Sequence, residues 1–128
     1  MTNWTSDELT KIAGAEELRI ASVRRDGTLR SPVTIWVVRQ EDDLFVRSVN
    51  GPTSAWFRGT QERREGRISA GGVEKDVTFM DADHDLDDKV DSAYRAKYQR
   101  YAGRILNSVL TAGARSTTMN LVPRPTRS

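Results

Sequence analysis

Residues 17–39 read ELRIASVRRDGTLRSPVTIWVVR, two runs rich in Val, Ile, Leu and Thr on either side of Asp26-Gly27. That dipeptide favours a two-residue hairpin turn, because both central residues tolerate positive φ. Two antiparallel strands, 17–24 and 28–39, are therefore expected. Along the second, Val33, Ile35 and Val37 alternate with Thr34, Trp36 and Val38, so neither face is freely solvated and the strand reads as a central one. Pro32 cannot donate to a sheet ladder and must sit at the strand's beginning or at a bulge.

Upstream, Thr5 or Ser6 followed by Asp7 and Glu8 places hydroxyl caps and acids at a helix start; Leu9, Ile12 and Ala13 give a short apolar stripe, and Gly14 ends it. Downstream, the acidic turn Glu41-Asp42-Asp43 leads into a strand over 44–49. After Asn50-Gly51-Pro52, Thr53 or Ser54 can cap a two-turn helix carrying Ala55, Trp56 and Phe57. A second hairpin, 66–70 with 73–80, turns at Gly71-Gly72. From Asp85 onward, Leu86, Val90, Tyr94, Tyr98, Tyr101 and Ile105 recur every three to four residues, the period of a helix with one buried stripe. The helix is expected to break around Gly103 or Gly113, with a last strand over 114–122 and a flexible polar tail over 123–128. The fold class is thus α+β, an antiparallel sheet of about six strands closed into a barrel, with a short N-terminal helix, a short connecting helix and a longer helix near the C-terminus.

A chain of 128 residues suits a single domain spanning 1–128, with roughly two-thirds of its unfolded surface buried. It has no apolar run of about 18 residues, and Met1-Thr2-Asn3-Trp4 lacks the charged and apolar regions of a signal peptide, so a cytoplasmic protein away from membranes is expected. The absence of cysteine excludes disulfides, thiolate metal sites and a cysteine nucleophile. With His84 the only histidine, a two-histidine metal helix is impossible. The net charge of +2 is no nucleic-acid signature; the basic residues of 58–67 are interleaved with Glu62 and Glu65, and no recognition motif is present. Aspartates at 81, 83, 85 and 87 suggest calcium, but Leu86 and Ser92 stand where the loop needs glycine and glutamate, so a solvated helix start is expected and no metal site.

The best candidate site lies between Leu44 and Arg58, where a strand, a glycine turn and a capped helix meet. The hydroxyls of Ser48, Thr53 and Ser54, the amides near Gly51 and a short-helix N-terminus can form a phosphate cradle. Arg30, Arg47 or Arg58 would supply its charge-assisted bonds. The same residues serve equally as strand end, cap, turn and solvated arginines, and the local pattern alone favours that reading. Trp36 and Trp56 can edge a ring system or fill a core. Tyr94, Lys97, Tyr98 and Tyr101 can line a pocket mouth where a substrate binds, or simply dock an amphipathic helix with Lys97 at its edge. No catalytic residue is singled out.

These residues together resemble a known family, the small proteins of unassigned function in the FMN-binding split-barrel superfamily, akin to pyridoxamine-phosphate oxidases and deazaflavin-dependent reductases. The resemblance covers nearly the whole chain. It is carried by the stretch from Asp26 through Pro32 and Val33 to Trp36, by Val46-Arg47-Ser48 to Gly51, by Trp56-Phe57-Arg58, by Gly71-Gly72, by the run from Ala93 to Tyr98, and by Thr117-Thr118 before Pro123-Arg124. It implies a split β-barrel, a homodimer, and a flavin held by Arg30, Pro32, Thr34 and Trp36 on one element and Arg47, Ser48, Gly51, Ser54, Trp56 and Arg58 on the other. Ala55-Trp56 stands where the pyridoxamine-phosphate oxidase pattern has Arg-Lys, an arrangement closer to the deazaflavin group. The implied cofactor is FMN or 8-hydroxy-5-deazaflavin, and the implied activity is hydride transfer to a small molecule. A non-catalytic module holding a flavin, haem or other anionic ligand is the alternative.

Overall fold

The Asp26-Gly27 hairpin forms with a longer turn than expected. In the computed structural model, which describes residues 4–101 and 103–124, β1 (Leu18–Ser22) pairs antiparallel with β2 (Val33–Ile35). The Gly27 N–H donates to the Arg24 carbonyl at 2.9 Å and the Arg24 N–H to the Thr28 carbonyl at 2.7 Å. Only Gly27, at φ 91°, takes the left-handed conformation, because the Asp26 carboxylate is engaged by the Thr28 N–H and hydroxyl. The turn therefore has three residues with glycine last, not two. Val23 bridges Leu29 while Ile20 pairs with Val33, which leaves one extra residue in the segment holding Pro32. Pro32 thus sits at a bulge, one of the two positions open to it.

The expected central strand is divided. Its second part, β3 (Val38–Gln40), pairs not with β1 but with β4 (Asp43–Val46). With β5 (Glu65–Ala70), β6 (Val73–Asp81) and β7 (Met119–Pro123), the order is β2-β1-β5-β6-β7-β4-β3, antiparallel throughout. β2 and β3 are the two ends of the sheet, yet only Trp36 and Val37 separate them in the chain. Three peptide steps reach roughly 10 Å, so the sheet must curl until its ends meet. The result is an α+β split barrel. The strand is interrupted because Val37 finds partners outside the sheet: its N–H donates to the Tyr98 hydroxyl, and its carbonyl accepts from Lys97 Nζ at 2.7 Å.

Alternation along the strands sorts the core. Leu18, Ile20, Val37, Leu44, Val46, Ile68, Phe79 and Leu121 point inward, where Leu9 and Ile12 of α1 (Ser6–Gly14) and Phe57 of α2 (Ala55–Arg63) join them. α1 opens on a capping box in which Thr5 and Glu8 satisfy each other's backbone N–H. Gly71 and Gly72, at φ 58° and 86°, make the second hairpin as the sequence implies. On the opposite face, Val38 and Phe45 pack against Val90, Tyr94 and Tyr98 of the α3 region (α3, Asp87–Lys97).

The expected long helix stops earlier than its apolar period suggests. Tyr98 leaves helical geometry at φ −111° and ψ 26°, because its hydroxyl donates to the Glu16 carbonyl at 2.6 Å while accepting from Val37. Two short helices follow, α4 (Arg104–Asn107) and α5 (Ala112–Arg115), so the last strand begins at Met119 rather than near 114. Ile105, assigned to the buried stripe, is 58% exposed. Pro123 belongs to β7, and the Arg124 N–H donates to the Asp76 carbonyl at 2.8 Å. The remainder of the expected tail, 125–128, and the first three residues lie outside the described residues. Among the described residues no helix is long and apolar enough to cross a membrane, and no group of His, Asp and Glu is placed to hold a metal ion.

Candidate functional site

Where the barrel ends meet, β2, the segment after β4, α2 and the α4 region enclose a cleft of about 440 Å3. Thr34 and Trp36 reach it from one side, Arg47, Val49, Asn50 and Trp56 from the other, and Ile105, Ser108 and Val109 from the α4 region. Glu17, the residue before β1, also lines the cleft, next to the Leu18–Ile35 pair that ends the β1–β2 ladder.

The Trp36 indole is fixed from behind. It stacks on the Tyr98 ring at 3.9 Å and 5°, with Tyr101 tilted 5.3 Å away. Trp56 stands in the first turn of α2, edge-on to Phe57 at 6.3 Å and 90°. Ser54 is the N-cap residue of that helix, but its side chain makes no capping bond. The first N–H groups of α2, at the positive end of its dipole, are thus left available beside Trp56.

Arg47 lines the cleft and is fully engaged beneath it. Its side chain is 0% exposed and pairs with Asp91 of α3. Nε donates to the Thr118 hydroxyl at 2.9 Å, Nη1 to Asp91 and to the Val109 carbonyl, and Nη2 to the Asp87 carbonyl at 3.2 Å. Four of its five N–H groups are therefore occupied by protein. Ser48 is buried too, its hydroxyl donating to the Gly51 carbonyl and its N–H to the Thr117 hydroxyl. Gly51, at φ 76°, lies against the backbone of Gly113. Ser48 and Gly51 thus build the loop rather than line the cleft.

Other expected site residues are dispersed. The bulge turns Arg30 and Pro32 to a second cleft of about 340 Å3, shared with Arg19, Arg67 and Glu74, and Arg30 pairs with Glu62 at 2.8 Å. Arg58 is exposed on α2. Tyr94 is buried beneath the Arg47 guanidinium, 5.4 Å from its ring centre, with no partner for its hydroxyl. Burial holds the phenols of Tyr94 and Tyr98 well above their ordinary range. Tyr94, Lys97 and Tyr98 do not line the cleft; Tyr98 backs Trp36, and Lys97 ties down the Val37 carbonyl.

Burial lowers the Lys97 ammonium from 10.5 to about 8. Between these values the unfolded chain binds more protons than the folded one, so this group makes stability rise with pH from about 8 to 10.5. Urea unfolding at pH 7.5 and 9.5 is expected to show a smaller gain for Lys97→Met than for the unaltered protein; parallel changes would contradict this.

Three contributors are not singled out by the sequence: Glu17, Asn50 and Asp91. Asp91 was detectable, since it lies next to Val90 and three residues before Tyr94 on an otherwise apolar helix stripe. Glu17 stood at the start of the expected first strand, with no signal that it would reach the cleft. Asn50 had no signal beyond its turn.

The split-barrel fold recurs in solved structures of low identity. An F420 reductase aligns at 18% identity and TM-score 0.53 over 92% of both chains. A FAD-binding protein from Mesorhizobium loti aligns at 13% identity and TM-score 0.58, covering 96% of this chain and 92% of that one. HutZ, the heme storage protein from Vibrio cholerae, aligns at 13% identity and TM-score 0.58, covering 100% and 93%. No curated protein matches the sequence. Residues 8–121 match a sequence family throughout, and the chain belongs to that family, described as "Uncharacterized protein conserved in bacteria (DUF2255)".

Proposed function

We propose that the cleft between Trp36 and Trp56 binds the planar ring of a flavin or deazaflavin, FMN or 8-hydroxy-5-deazaflavin, in an oxidoreductase acting on a small molecule. The observation that carries this reading is the meeting of two indoles on one cleft of about 440 Å3 in a split barrel. That volume lies within the range of small-molecule sites, and the mostly apolar lining with a few convergent polar groups suits a flat heterocycle. The residues present fit the group. Trp56 would cover the ring and Trp36, held by Tyr98, would close the cleft beyond it, Thr34 and Asn50 would offer polar contacts, and the uncapped N-terminus of α2 would receive an anionic tail. Arg47 positions the cleft floor rather than clamping phosphate, since four of its five donors are already engaged and its charge is paired with Asp91. When bound, the cofactor supplies two-electron hydride chemistry, while the chain orients it and excludes water. The proposal includes a homodimer, on the strength of the family resemblance, and a cytoplasmic location, on the strength of the sequence's lack of a long apolar run and of signal-peptide features.

A non-catalytic binding module is the second reading. One observation favours it: among the described residues lining the cleft there is no imidazole, phenol or amine, which leaves the Glu17 carboxylate as the one ordinary acid–base group. His84 lies before α3, paired with Asp87, so a haem in the cleft would find no imidazole there.

Titration of the protein with FMN and with the deazaflavin, followed by ligand fluorescence, tests the site. At least one should bind saturably, and Trp56→Ala should weaken it about tenfold, the loss of one aromatic contact and its buried area. Failure of both to bind would end the reading; binding of the pre-reduced cofactor, with no hydride passing from it to an added quinone, would leave the non-catalytic one.

A further inference from the structure

Of the two formal charges that line the cleft, only one is free. Arg47 is neutralised by Asp91 in a buried, hydrogen-bonded pair. Glu17 is exposed and, among the described residues, has no ion-pair partner within 4 Å and no side-chain hydrogen bond. Its neighbour Glu16 is the one occupied, by Arg100 and the Tyr101 hydroxyl. Glu17 therefore reaches the cleft as an uncompensated carboxylate. Glu17 and Trp36 each stand one residue beyond the last paired positions of β1 and β2, Leu18 and Ile35, and both line the cleft, where the Trp36 indole stacks on Tyr98.

A rigid indole face beside a free carboxylate is a recognition surface for an organic cation. The ring quadrupole attracts positive charge, and the carboxylate adds a Coulomb attraction that the apolar walls strengthen. A neutral ligand of the same shape would gain only the stacking. An anionic one would meet repulsion at this end, while the other end of the cleft, at the α2 N-terminus, favours negative charge.

We propose that the Glu17–Trp36 end of the cleft selects a flat organic cation, a heteroaromatic ring carrying a quaternary or protonated nitrogen, as the small-molecule substrate. The proposal rests on the cleft assigned above for its location, but cation binding itself does not require the flavin.

Calorimetric titration at low salt with 1-methylnicotinamide and with neutral nicotinamide tests it. The unaltered protein should bind the cation about tenfold more tightly than its neutral counterpart. Glu17→Gln should reduce that preference to less than about threefold while leaving nicotinamide affinity unchanged, and Glu16→Gln should retain the preference. The absence of saturable cation binding, equal affinity for the two probes, or a preference that survives Glu17→Gln would overturn the proposal. FMN and deazaflavin titrations of the same samples separate the two claims: cation selectivity without binding of either cofactor would overturn the flavin reading and keep this one. Cofactor binding without cation selectivity would do the reverse.

Discussion

Asp91→Ala is expected to destabilise the fold by about 3 to 5 kcal/mol in urea unfolding. Among the described residues the carboxylate is the only counter-charge bonded to the buried Arg47 guanidinium, whose remaining acceptors are a hydroxyl and two backbone carbonyls. Removing it leaves a full positive charge out of water with neutral partners. Its second oxygen also lies 3.3 Å from Arg115 Nε, so the substitution loosens the contact between α3 and α5 as well. The double variant Arg47→Met, Asp91→Leu should recover more than half of the loss, because a desolvated pair exchanged for apolar side chains forfeits far less than an orphaned charge. A loss no greater than that of an exposed pair, about 1 kcal/mol or less, would show that Arg47 is solvated and that the cleft floor is not built as described.

The other large effect is a matter of space. Gly66 lies in β5 between β1 and β6, opposite Ser22 and Val77. A Cβ there would fall 2.3 Å from the Ala21 carbonyl oxygen and 2.5 Å from the Phe79 ring. The first obstacle is backbone in a paired strand and the second is a core ring only 1% exposed, so neither can yield cheaply. Gly66→Ala should therefore cost about 3 kcal/mol, at the upper end of overpacking. Gly14→Ala provides the contrast. That glycine ends α1 with no atom within 4 Å of an added methyl and with no positive φ. The change should be neutral or stabilising by up to about 1 kcal/mol. Thermal melts of the two variants suffice, and a Gly66→Ala protein as stable as Gly14→Ala would contradict the packing account.

Local chemistry made much of the fold legible. The hydroxyl-capped, acidic start of α1, the glycine pair at 71–72 and strand alternation are readable within a few residues and recur as expected, the cap resolving to Thr5 with Glu8 closing a capping box. What escaped notice depends on partners distant in sequence. Nothing near Val37 signals that its backbone bonds go to Lys97 and Tyr98 instead of a strand, and nothing near Tyr98 signals a hydroxyl held by Glu16; in each case a tertiary contact overrides a correct local period. The hairpin is instructive in a different way. Its turn is one residue longer on the β1 side than the two-residue form, and the bulge near Pro32 adds one residue on the other strand, so the offsets cancel. Leu18 still meets Ile35, the register a two-residue turn at Asp26-Gly27 would have produced.

The two cleft indoles were legible in the sequence; the tyrosines of the α3 region, which pack behind the cleft, and the charges were not. Thr34, Trp36, Arg47 and Trp56 converge on the cleft, as the resemblance implies. Composition and spacing could not reveal that Arg47 is consumed by Asp91 or that Arg30 is turned away by the bulge, since both outcomes depend on where α3 and β2 come to rest. A guanidinium is equally well suited to a ligand phosphate and to a buried carboxylate.

The three tryptophans allow the central claim to be tested in one measurement. Trp36 and Trp56 line the cleft, whereas Trp4 is buried in the barrel with its indole N–H donating to the Leu121 carbonyl at 2.8 Å. In a 15N-labelled protein titrated with FMN or the deazaflavin, the indole N–H resonances of Trp36 and Trp56 should shift together and saturate, while that of Trp4 stays in place. Saturable binding that moves Trp4 alone, or leaves both cleft indoles unchanged, would contradict the assignment of the cleft.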